Sequence, residues 1–408
     1  MQRLSAYRFE LKLNGAQQRQ CAQFAGVKRY IYNKALALQQ TNYAQGNKYI
    51  SYASIAKHLS PWRNDPLAPW LKEAPFHTQQ QALKDLDRAY SNFFKGLSDF
   101  PKPKRKGLHE SFRFPDPKQI QFDQTNSRIK LPKLGWMRYR NSREVSGELR
   151  NVTISQSGGK WFMSIQTQME VDQPIPEGVD AVGIDVGIAN FAALSNGIFI
   201  APLASFKKHE QRLAKYQRRM SHKVKFSYNW KKEKAKVNQI HSDIANARKD
   251  FLHKTTTTIC KNHALVCIED LQISNMSTSS KGTIENPGKN VKAKSGLNKA
   301  ILDQGWGEFR RQLEYKMAWN GGMVIAVPPQ YTSQACPNLQ CGHIAKENRK
   351  TQSRFKCVSC GYENHADTVG SINILERGLR LLACGDPMPL DRSVKQEPTE
   401  TTFDALAA

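Results

Sequence analysis

The hydrophobic pattern at the start of the chain changes period once. Residues 4–13 (LSAYRFELKL) alternate between apolar and polar, which is typical of a half-buried strand. From Ala16 onward apolar residues recur at helical spacing, and this pattern continues to about Leu97. A proline- and lysine-containing run, FPKPKRKGLHESFRFP, then breaks it. The pattern therefore predicts one leading strand followed by a helical module over residues 14–116.

Short alternating segments separated by turns follow the helical module. They are QIQFD, RIKLP, GWMRYR, LRNVTISQ and KWFMSIQTQME. Such a series predicts a small antiparallel barrel or sandwich over residues 117–177, which the leading strand (1–13) completes. The segment VDQPIPEGVD after it has the composition of a linker.

The rest of the chain alternates apolar strands with helices. Two apolar strands, AVGIDVG and ALVCIED, enclose a hairpin signal at Asn196-Gly197 and a long basic helical region over 204–263. Residues 276–300 are polar and contain glycine, which predicts a mobile loop. A helix (WGEFRRQLEYKMAWN), a strand (MVIAV) and a helix over 366–382 come next. The acidic, proline-containing tail, 383–408, is expected to be disordered.

The charge of the chain favours a polyanionic partner. Its 61 Lys and Arg residues against 35 Asp and Glu give a formal net charge of +26. Nucleic acid is the expected partner, because phosphates stabilise clustered positive charge. No stretch reaches about 18 consecutive apolar residues, and the first residues carry charge, so we expect a cytoplasmic protein without a signal peptide. Neither a membrane nor a small organic cofactor is expected as a partner.

Two acidic residues at the ends of apolar strands form the core of a candidate catalytic centre. Asp185 lies near the end of AVGIDVG, and Glu269 lies near the end of ALVCIED. A single acid at a strand end is usually without function. Two strands of one sheet that each present a carboxylate, however, begin a site for a hard cation such as Mg²⁺ or Mn²⁺. Hydrolysis of a phosphodiester by two ions about 4 Å apart needs such a cluster.

A third carboxylate is expected from elsewhere in the chain. Asp367, in NHADTVGSINIL at the start of a predicted helix, is the best candidate, although Asp also caps helices well. Two other acids compete with it. Asp270 would point to the opposite face of its strand from Glu269, and Asp303 precedes the helix that begins WGEF. We interpret both as helix caps or surface groups.

A cysteine quartet near the C-terminus predicts a metal site. Two pairs with spacings of four and two residues lie fifteen residues apart, and a glycine follows each pair. Four thiolates on two tight turns suit a closed tetrahedral Zn²⁺ site, which has no open position and is therefore structural. The alternative is four free buried thiols. The predicted ligands are Cys336, Cys341, Cys357 and Cys360.

Basic side chains interleaved with aromatic ones are the candidate nucleic-acid contacts. Positions 207–236 hold twelve Lys or Arg against two Glu, which favours binding of a polyanion, although such runs also occur as solvated faces. The run 102–106 either contacts phosphates or is a linker. The predicted contacts are Lys207, Lys208, Arg212, Lys215, Arg218, Arg219, Lys223, Lys225, Lys102, Lys104 and Arg105.

Several short motifs occur in one order along nearly the whole chain. They are GVKRYIYNKAL at 26–36, LPKLGW at 131–136, GIDVGIANFA at 183–192, IEDL at 268–271, GWGEFRRQLEYKMAW at 305–319, SQAC at 333–336 and FKCVSCG at 355–361. In this order they resemble the TnpB family of transposon-encoded, RNA-guided nucleases, which are relatives of the type V CRISPR effectors.

The resemblance implies a multidomain α+β protein with a RuvC-type, RNase H-like mixed-sheet nuclease core. The three acids of that core correspond to Asp185, Glu269 and Asp367. A guide RNA from the transposon end and cleavage of double-stranded DNA beside a short adjacent motif are implied as well. The implied domains are a wedge β-barrel at 1–13 and 117–177, a helical recognition lobe at 14–116, the nuclease core at 178–330 and 364–382, and a zinc-binding insert at 331–363.

The chain departs from the family pattern in two places. Its first cysteine pair has four intervening residues where two are common, which puts the shape of that turn in doubt. The sequence around Asp367 reads HADTVGSIN where many members have an Asp-Arg-Asp-containing run with Asn-Ala-Ala, but the acid keeps its place. Arg354 is a candidate phosphate clamp, with a solvent-facing residue as the alternative.

Two other functions fit the same resemblance. An RNA-guided DNA-binding repressor would need no set of three acids, and all three are present. A transposase that joins strands would bind transposon ends without RNA, so a copurified RNA of defined sequence would argue against it.

Overall fold

The computed structural model describes residues 2–172, 174–176, 178 and 180–384. By compactness the chain divides into two units. The first runs to Asp172 and includes Arg219–Ser242, and the second takes Gln173–Arg218 and the chain from Asp243 onward. The predicted tail lies outside the described residues from 385 onward, as do three positions of the predicted linker.

The first unit opens with a strand and a long helix, as the change of period predicts. Strand β1 (Gln2–Lys12) leads into helix α1 (Gly15–Ala44). The Asn14 side chain accepts a hydrogen bond from the Gln17 backbone while the Gln17 side chain bonds back to Asn14, a capping box that fixes where α1 begins. Three further helices confirm the helical module: α2 (Tyr52–Ala56), α3 (Leu59–Asn64) and α4 (Phe76–Phe94).

Seven strands of the first unit form one antiparallel sheet. Besides β1 they are β2 (Ser111–Phe114), β3 (Gln121–Asp123), β4 (Arg128–Leu131), β5 (Gly135–Tyr139), β6 (Glu148–Ser157) and β7 (Lys160–Glu170). Their order is β2-β6-β7-β1-β5-β4-β3, so the leading strand does join the later ones, as predicted. Strand β2 lies within the range predicted as helical, and the strand order is open at β2 and β3 rather than a ring.

The second unit contains the strands and helices predicted from its alternating pattern. In chain order they are β8 (Asp180–Val186), β9 (Ala192–Leu194), β10 (Phe199–Ile200), α5 (Ser205–Ser221), α6 (Tyr228–Asn262), β11 (His263–Glu269), α7 (Ile273–Met276), α8 (Val291–Gln304), α9 (Trp306–Trp319), β12 (Met323–Val327), β13 (Arg354–Lys356), β14 (Glu363–His365) and α10 (Ala366–Cys384). Helices α5 and α6 each extend partly into the first unit's segment, Arg219–Ser242.

A five-stranded mixed sheet organises the second unit. Its order is β10-β9-β8-β11-β12, with β8, β11 and β12 parallel and the β8–β9–β10 hairpins antiparallel. Because parallel strands of this kind are buried on both faces, β8 and β11 are nearly continuous apolar runs. Their side chains pack with those of α9 in one core that includes Val182, Ile184, Val266, Phe309 and Leu313. The fold is mixed α+β.

The loop predicted over residues 276–300 is wrong from Val291 onward, where α8 begins. Three side chains stabilise this helix despite its polar composition. Ile301 is buried at its far end, and the Asn298 amide donates to the carbonyls of Ser277 and Thr278. Lys294 donates to the carbonyl of Met276 at 2.7 Å. Tertiary contacts therefore stabilise a helix that the sequence pattern alone predicts only weakly.

Within the described part of the chain, no helix combines the length and the apolar character that crossing a membrane would require.

Candidate active site and cysteine cluster

Asp185 and Glu269 lie at the same edge of the five-stranded sheet. Strands β8 and β11 are parallel neighbours, and their register pairs Ile184 with Ile268. Asp185 and Glu269 each follow these partners by one residue, so both side chains reach the carboxyl edge together. The prediction that these acids come from two strands of one sheet is confirmed.

Helix α10 brings Asp367 to that edge because glycines let it approach the sheet closely. A Cβ atom on Gly183 of β8 would lie 2.0 Å from the carbonyl oxygen of Ser371. On the helix side, a Cβ on Gly370 would lie 2.8 Å from Oδ2 of Asp185, and one on Gly378 would lie 2.1 Å from the Cys267 sulfur. A larger residue at Gly183 would have to displace the helix backbone, whereas one at Gly370 or Gly378 would displace either the helix or the side chain that it meets. Sequence reasoning missed these glycines, although Gly370 lies in the segment around Asp367.

Neutral side chains orient two of the three carboxylates. The Thr332 hydroxyl donates to Oε1 of Glu269 at 2.6 Å, and the Asn190 amide donates to Oδ2 of Asp367 at 3.2 Å. Asn373 of α10 in turn donates to the carbonyl of Thr332 at 2.7 Å, which holds the segment that carries the threonine. These groups were not predicted. Asn190 lies five residues after Asp185 in GIDVGIANFA, so its position in that motif was the available signal.

The electrostatics of Asp185 reflect the crowding of negative charge. Burial raises the pKa of its carboxyl group well above the usual range, and the nearby charges of Glu269 and Asp367 raise it further. The guanidinium of Arg349 opposes this effect and lies 3.9 Å from Oδ1 of Asp367. The three acids therefore share one site in which an added cation would relieve the repulsion.

The two competing acids have structural partners. The interpretation as a helix cap is confirmed for Asp303, whereas Asp270 is neither a cap nor exposed but lies in a partly buried ion pair. Asp270 forms an ion pair with Arg310 of α9. Asp303 accepts hydrogen bonds from the backbone N–H of Phe206 at 2.9 and 3.1 Å, which caps the start of α5, and it pairs with Arg248 at 2.7 Å. Neither contributes to the edge where Asp185 and Glu269 meet.

The four predicted cysteines come together in one cluster. Their sulfur atoms all lie within 4.8 Å of one another, with 3.6 Å between Cys336 and Cys360 and 3.7 Å between Cys341 and Cys357. A tetrahedral zinc site with Zn–S bonds of about 2.3 Å places its sulfurs roughly 3.8 Å apart, so the spacing fits. Among the described residues this is the one group of three or more His, Cys, Asp or Glu side chains whose ligand atoms already lie close enough together for a single ion. The oxygens of Asp185, Glu269 and Asp367 are more widely spaced, so that edge would need a shift of side chains, or two ions, to use all three acids.

Backbone hydrogen bonds and one buried amide build the two turns of the cluster. The first turn closes with Cys336 N–H to the His343 carbonyl, and the second with Cys357 N–H to the Tyr362 carbonyl. Asn348, which is fully buried, links them by donating to the carbonyls of Gln334 and His343 and accepting from Val358 N–H. The longer first pair therefore still forms a turn of the cluster. Asn348 was not predicted from the sequence.

The thiol of Cys357 is prepared for ligation. Burial opposes ionisation, but backbone N–H groups of Cys360 and Ser359, together with the thiols of Cys341 and Cys360, lower the pKa of Cys357 to about 7. Burial and the same neighbouring thiols raise the pKa of Cys336 to about 12, so the four thiols divide the ionisation unequally. A thiolate is the form that binds a metal, so this turn favours the ligating state at neutral pH.

Arg354, the candidate phosphate clamp, forms an ion pair away from the three acids. Arg354 pairs with Glu363 across the β13–β14 hairpin, with 2.7 Å between Nε and Oε1. Two other basic side chains lie nearer the acids: Arg349, five residues earlier, is beside Asp367, and Arg377 interacts with the charge of Glu269 while donating to the carbonyls of Pro328 and Gln330. The clamp role of Arg354 stays a prediction, and Arg349 is the stronger candidate.

The predicted nucleic-acid contacts differ in their surroundings. All eight between 207 and 225 are exposed, on α5 or in the turn that follows it. Lys102 and Arg105 are exposed as well, whereas Lys104 is half-buried with its ammonium 4.3 Å from the centre of the Tyr32 ring. Burial lowers the pKa of Lys104. Lys104 therefore has a packing role, whereas the other ten side chains are exposed.

Three family models match separate parts of the chain. One described as "Probable transposase" matches residues 164–280, "Cas12f1-like, TNB domain" matches 306–374, and "Helix-turn-helix domain" matches 1–48. In this chain the last of these regions contains β1 and the whole of the single helix α1. The second match covers α9, β12, the cysteine cluster and Asp367.

Two relatives match along nearly their whole lengths. "Putative RNA-guided DNA endonuclease InsQ" of Escherichia coli (strain K12) is 53% identical, with 98% of each chain covered. "Putative RNA-guided DNA endonuclease" of Streptomyces pristinaespiralis is 31% identical, with 97% of each covered. A solved structure described as "Cryo-EM structure of the Cas12f1-sgRNA-target DNA complex" shares the fold at a TM-score of 0.53 and 14% identity, over 86% of this chain and 81% of the other. By its identity to these full-length relatives, the chain belongs to the TnpB family.

Proposed function

We propose that this chain is an RNA-guided DNA endonuclease associated with a transposon, and that it hydrolyses DNA at the edge where Asp185, Glu269 and Asp367 meet. The observation that carries the proposal is the convergence of three carboxylates from two parallel strands and one helix, separated by up to 182 residues (367 − 185) in the chain. Membership of the TnpB family supports the RNA-guided activity, and the charge of +26 suits two nucleic-acid partners.

The donor set fits a hard divalent cation. Three carboxylates without sulfur or imidazole are the ligands that Mg²⁺ and Mn²⁺ prefer. Burial first, and then the charges of Glu269 and Asp367, raise the pKa of Asp185, and a bound cation would offset that repulsion. A divalent cation there supplies positive charge against the scissile phosphate and eases ionisation of the attacking water.

The surrounding side chains of the protein have separate tasks. Thr332 and Asn190 fix the orientation of Glu269 and Asp367, and outer partners of this kind are worth about 10- to 100-fold in metal affinity or activity. Arg349 beside Asp367 offers a donor to a phosphate oxygen as negative charge develops on it. The second unit would thus form a RuvC-like core.

The cysteine quartet suits structural Zn²⁺. Its sulfur spacing matches a tetrahedral site, and four thiolates leave no position for substrate. Hairpin β13–β14 leads directly into α10, so metal bound there would stiffen the entry to the helix that carries Asp367. The insert at 331–363 would therefore act as a positioning element.

The nucleic acids would contact the exposed basic residues of α5 and the following turn. Base pairing of the guide would select the target, while the protein recognises the heteroduplex by shape and a short duplex motif by side-chain contact. The sheet of the first unit would be the wedge domain, and α1–α4 the recognition lobe. Such a protein would act in the cytoplasm.

The test begins with the RNA that copurifies with the protein. Its sequence defines a guide, which is then replaced to match a plasmid target, and cleavage is measured with Mg²⁺ or Mn²⁺ added. The expected result is cutting of the matched plasmid only. Asp185→Ala is expected to abolish cutting while guided binding persists. Normal cutting by this variant, or cutting that ignores the guide, would contradict the proposal.

A further inference from the structure

A cleft on the surface of the first unit has the features of a nucleotide-binding site. It measures about 730 Å³ and lies along one side of α1, with Trp70 from the segment before α4 on its other wall. That volume is in the range of small-ligand pockets, which is roughly 300–1,000 Å³. None of the predicted contact residues lines it.

The lining includes two aromatic rings and two basic side chains. The rings of Tyr30 and Trp70 meet edge to face, with 4.9 Å between their centres. The ammonium of Lys34 lies 5.6 Å from the centre of the Tyr30 ring and 5.2 Å from that of Trp62. In the described part of the chain Lys34 has no acidic partner, whereas Arg29 is held by Glu110 at 2.5 Å. The charge of Lys34 is thus available to an anion.

The basic run 102–106 is fastened to the rim of this cleft. Asn33, which lines the cleft, donates to the carbonyl of Lys104 at 3.0 Å and accepts from its N–H at 2.8 Å. Glu110 binds both Arg29 and the Gly107 N–H, which fixes the other end of the segment. Arg105 and Lys106, next to the tethered Lys104, are exposed, and no described acid pairs with either.

We propose that this cleft binds an unpaired nucleotide: its base packs against Trp70 and Tyr30, and its flanking phosphates bind Lys34 and Arg105. The inference rests on the proposed nucleic-acid function and adds a specific contact to it. Aromatic rings bind bases of any sequence because every base has a stackable face, and basic neighbours bind the backbone. The same chemistry is offered by a bulged or terminal nucleotide of RNA and by a displaced DNA strand.

The experiment separates base contacts from phosphate contacts. Full-length protein, freed of copurified nucleic acid at high salt, is titrated with short single-stranded RNA and DNA oligonucleotides and with the same oligonucleotides made abasic at their centre. Trp70→Leu is expected to weaken binding of the intact oligonucleotide about tenfold and to leave the abasic one unchanged. Trp136→Leu is the matched control, because Trp136 is exposed on β5 with Arg128 over its ring, outside the cleft.

The charge contribution gives an independent readout. Lys34→Gln is expected to weaken binding of both the intact and the abasic oligonucleotides. It should also reduce the slope of log affinity against log salt concentration by about one. Because Lys34→Gln leaves the aromatic rings of the cleft in place, it still tests nucleotide binding if Trp70→Leu fails to fold. Photocrosslinking of thiouridine or thiothymidine oligonucleotides should label peptides that contain Tyr30 or Trp70. Preference for the RNA or the DNA probe then identifies the source of the nucleotide.

The proposal is overturned if Trp70→Leu weakens the intact and abasic probes equally, if Lys34→Gln leaves the salt slope unchanged, or if crosslinks map elsewhere. Its failure is distinguishable from failure of the proposed function. Protein that cleaves by guide but binds without dependence on the base contradicts the cleft alone. Base-dependent binding by protein that cuts nothing contradicts the nuclease alone.

Discussion

The cysteine cluster and the carboxylate site form in contrasting ways. The four cysteines lie within 25 residues on two tight turns, and their sulfurs already have the spacing of a tetrahedral site. The three acids come from two strands and a helix far apart in the chain, and they repel one another. The first site depends on local turns, whereas the second depends on strand register and on how closely α10 approaches the sheet. The predictions below test this difference.

The largest loss of cleavage is expected at Glu269, and its neighbour Asp270 is the control. Glu269→Gln keeps the shape of a group at the shared edge but removes its charge, so cleavage should fall on the order of a thousandfold. Asp270→Asn breaks only the pair with Arg310, which should cost about 1 kcal/mol of stability and leave cleavage nearly unchanged. Single-turnover assays measure the change in cleavage, and thermal melting measures the change in stability. Equal loss of cleavage in both variants would show that the site is misassigned.

Replacing one cysteine should first disrupt the cysteine cluster. Through the cluster it should then disturb the carboxylate site. Cys357→Ser removes one of four ligands, so the purified protein should lose its zinc, measured by atomic absorption, and melt several degrees lower. Cleavage should fall about tenfold because α10 begins just after the cluster. Cys21→Ala, at a buried cysteine of α1, is the control and should keep its zinc. Full zinc retention in Cys357→Ser would refute the quartet.

Alanine substitutions at one glycine of α10 and at one glycine of α8 test how closely α10 packs against the sheet. Gly370→Ala places a methyl group 2.8 Å from Oδ2 of Asp185, so the helix or the acid must move. A shift of about 1 Å at reacting groups costs on the order of 100-fold in rate. Gly296→Ala on α8 meets nothing within 4 Å and should stabilise the protein by about 0.5–1 kcal/mol with unchanged cleavage. Normal cleavage by Gly370→Ala would argue against the close approach.

Two arginines five residues apart are expected to differ in their effect on cleavage, and the smallest effect of all is expected at Arg354. Arg349→Ala removes the cation beside Asp367, and cleavage should fall about tenfold with little change in the amount of DNA bound. Arg354→Ala, which removes a partner of Glu363, should change cleavage by less than about twofold, because exposed pairs contribute little. Single-turnover rates at saturating protein measure both. The reverse ranking would restore Arg354 as the clamp.

Much of the fold followed from the period of the hydrophobic pattern. The two apolar strands that end in Asp185 and Glu269, the helices α1, α9 and α10, and the hairpin at Asn196-Gly197 were all predicted. Helix α8 was missed because its stability comes from contacts such as that between Asn298 and Ser277, which have no periodic signal. Strand β2 was missed because the prolines and charges before it dominate its surroundings.

The sequence by itself determined the chemistry that this protein can perform: carboxylates at strand ends, four thiols at ligand spacing and a large positive charge. It also determined the family, because motif order is a property of the chain. Only the tertiary structure decided which acids meet. Asp270 and Asp303 pair with Arg310 and Arg248 instead, whereas α10 brings Asp367 to the edge because it packs on Gly183 of β8 and places its own Gly370 against Asp185. Register and close packing are relations between distant residues, so no local pattern records them.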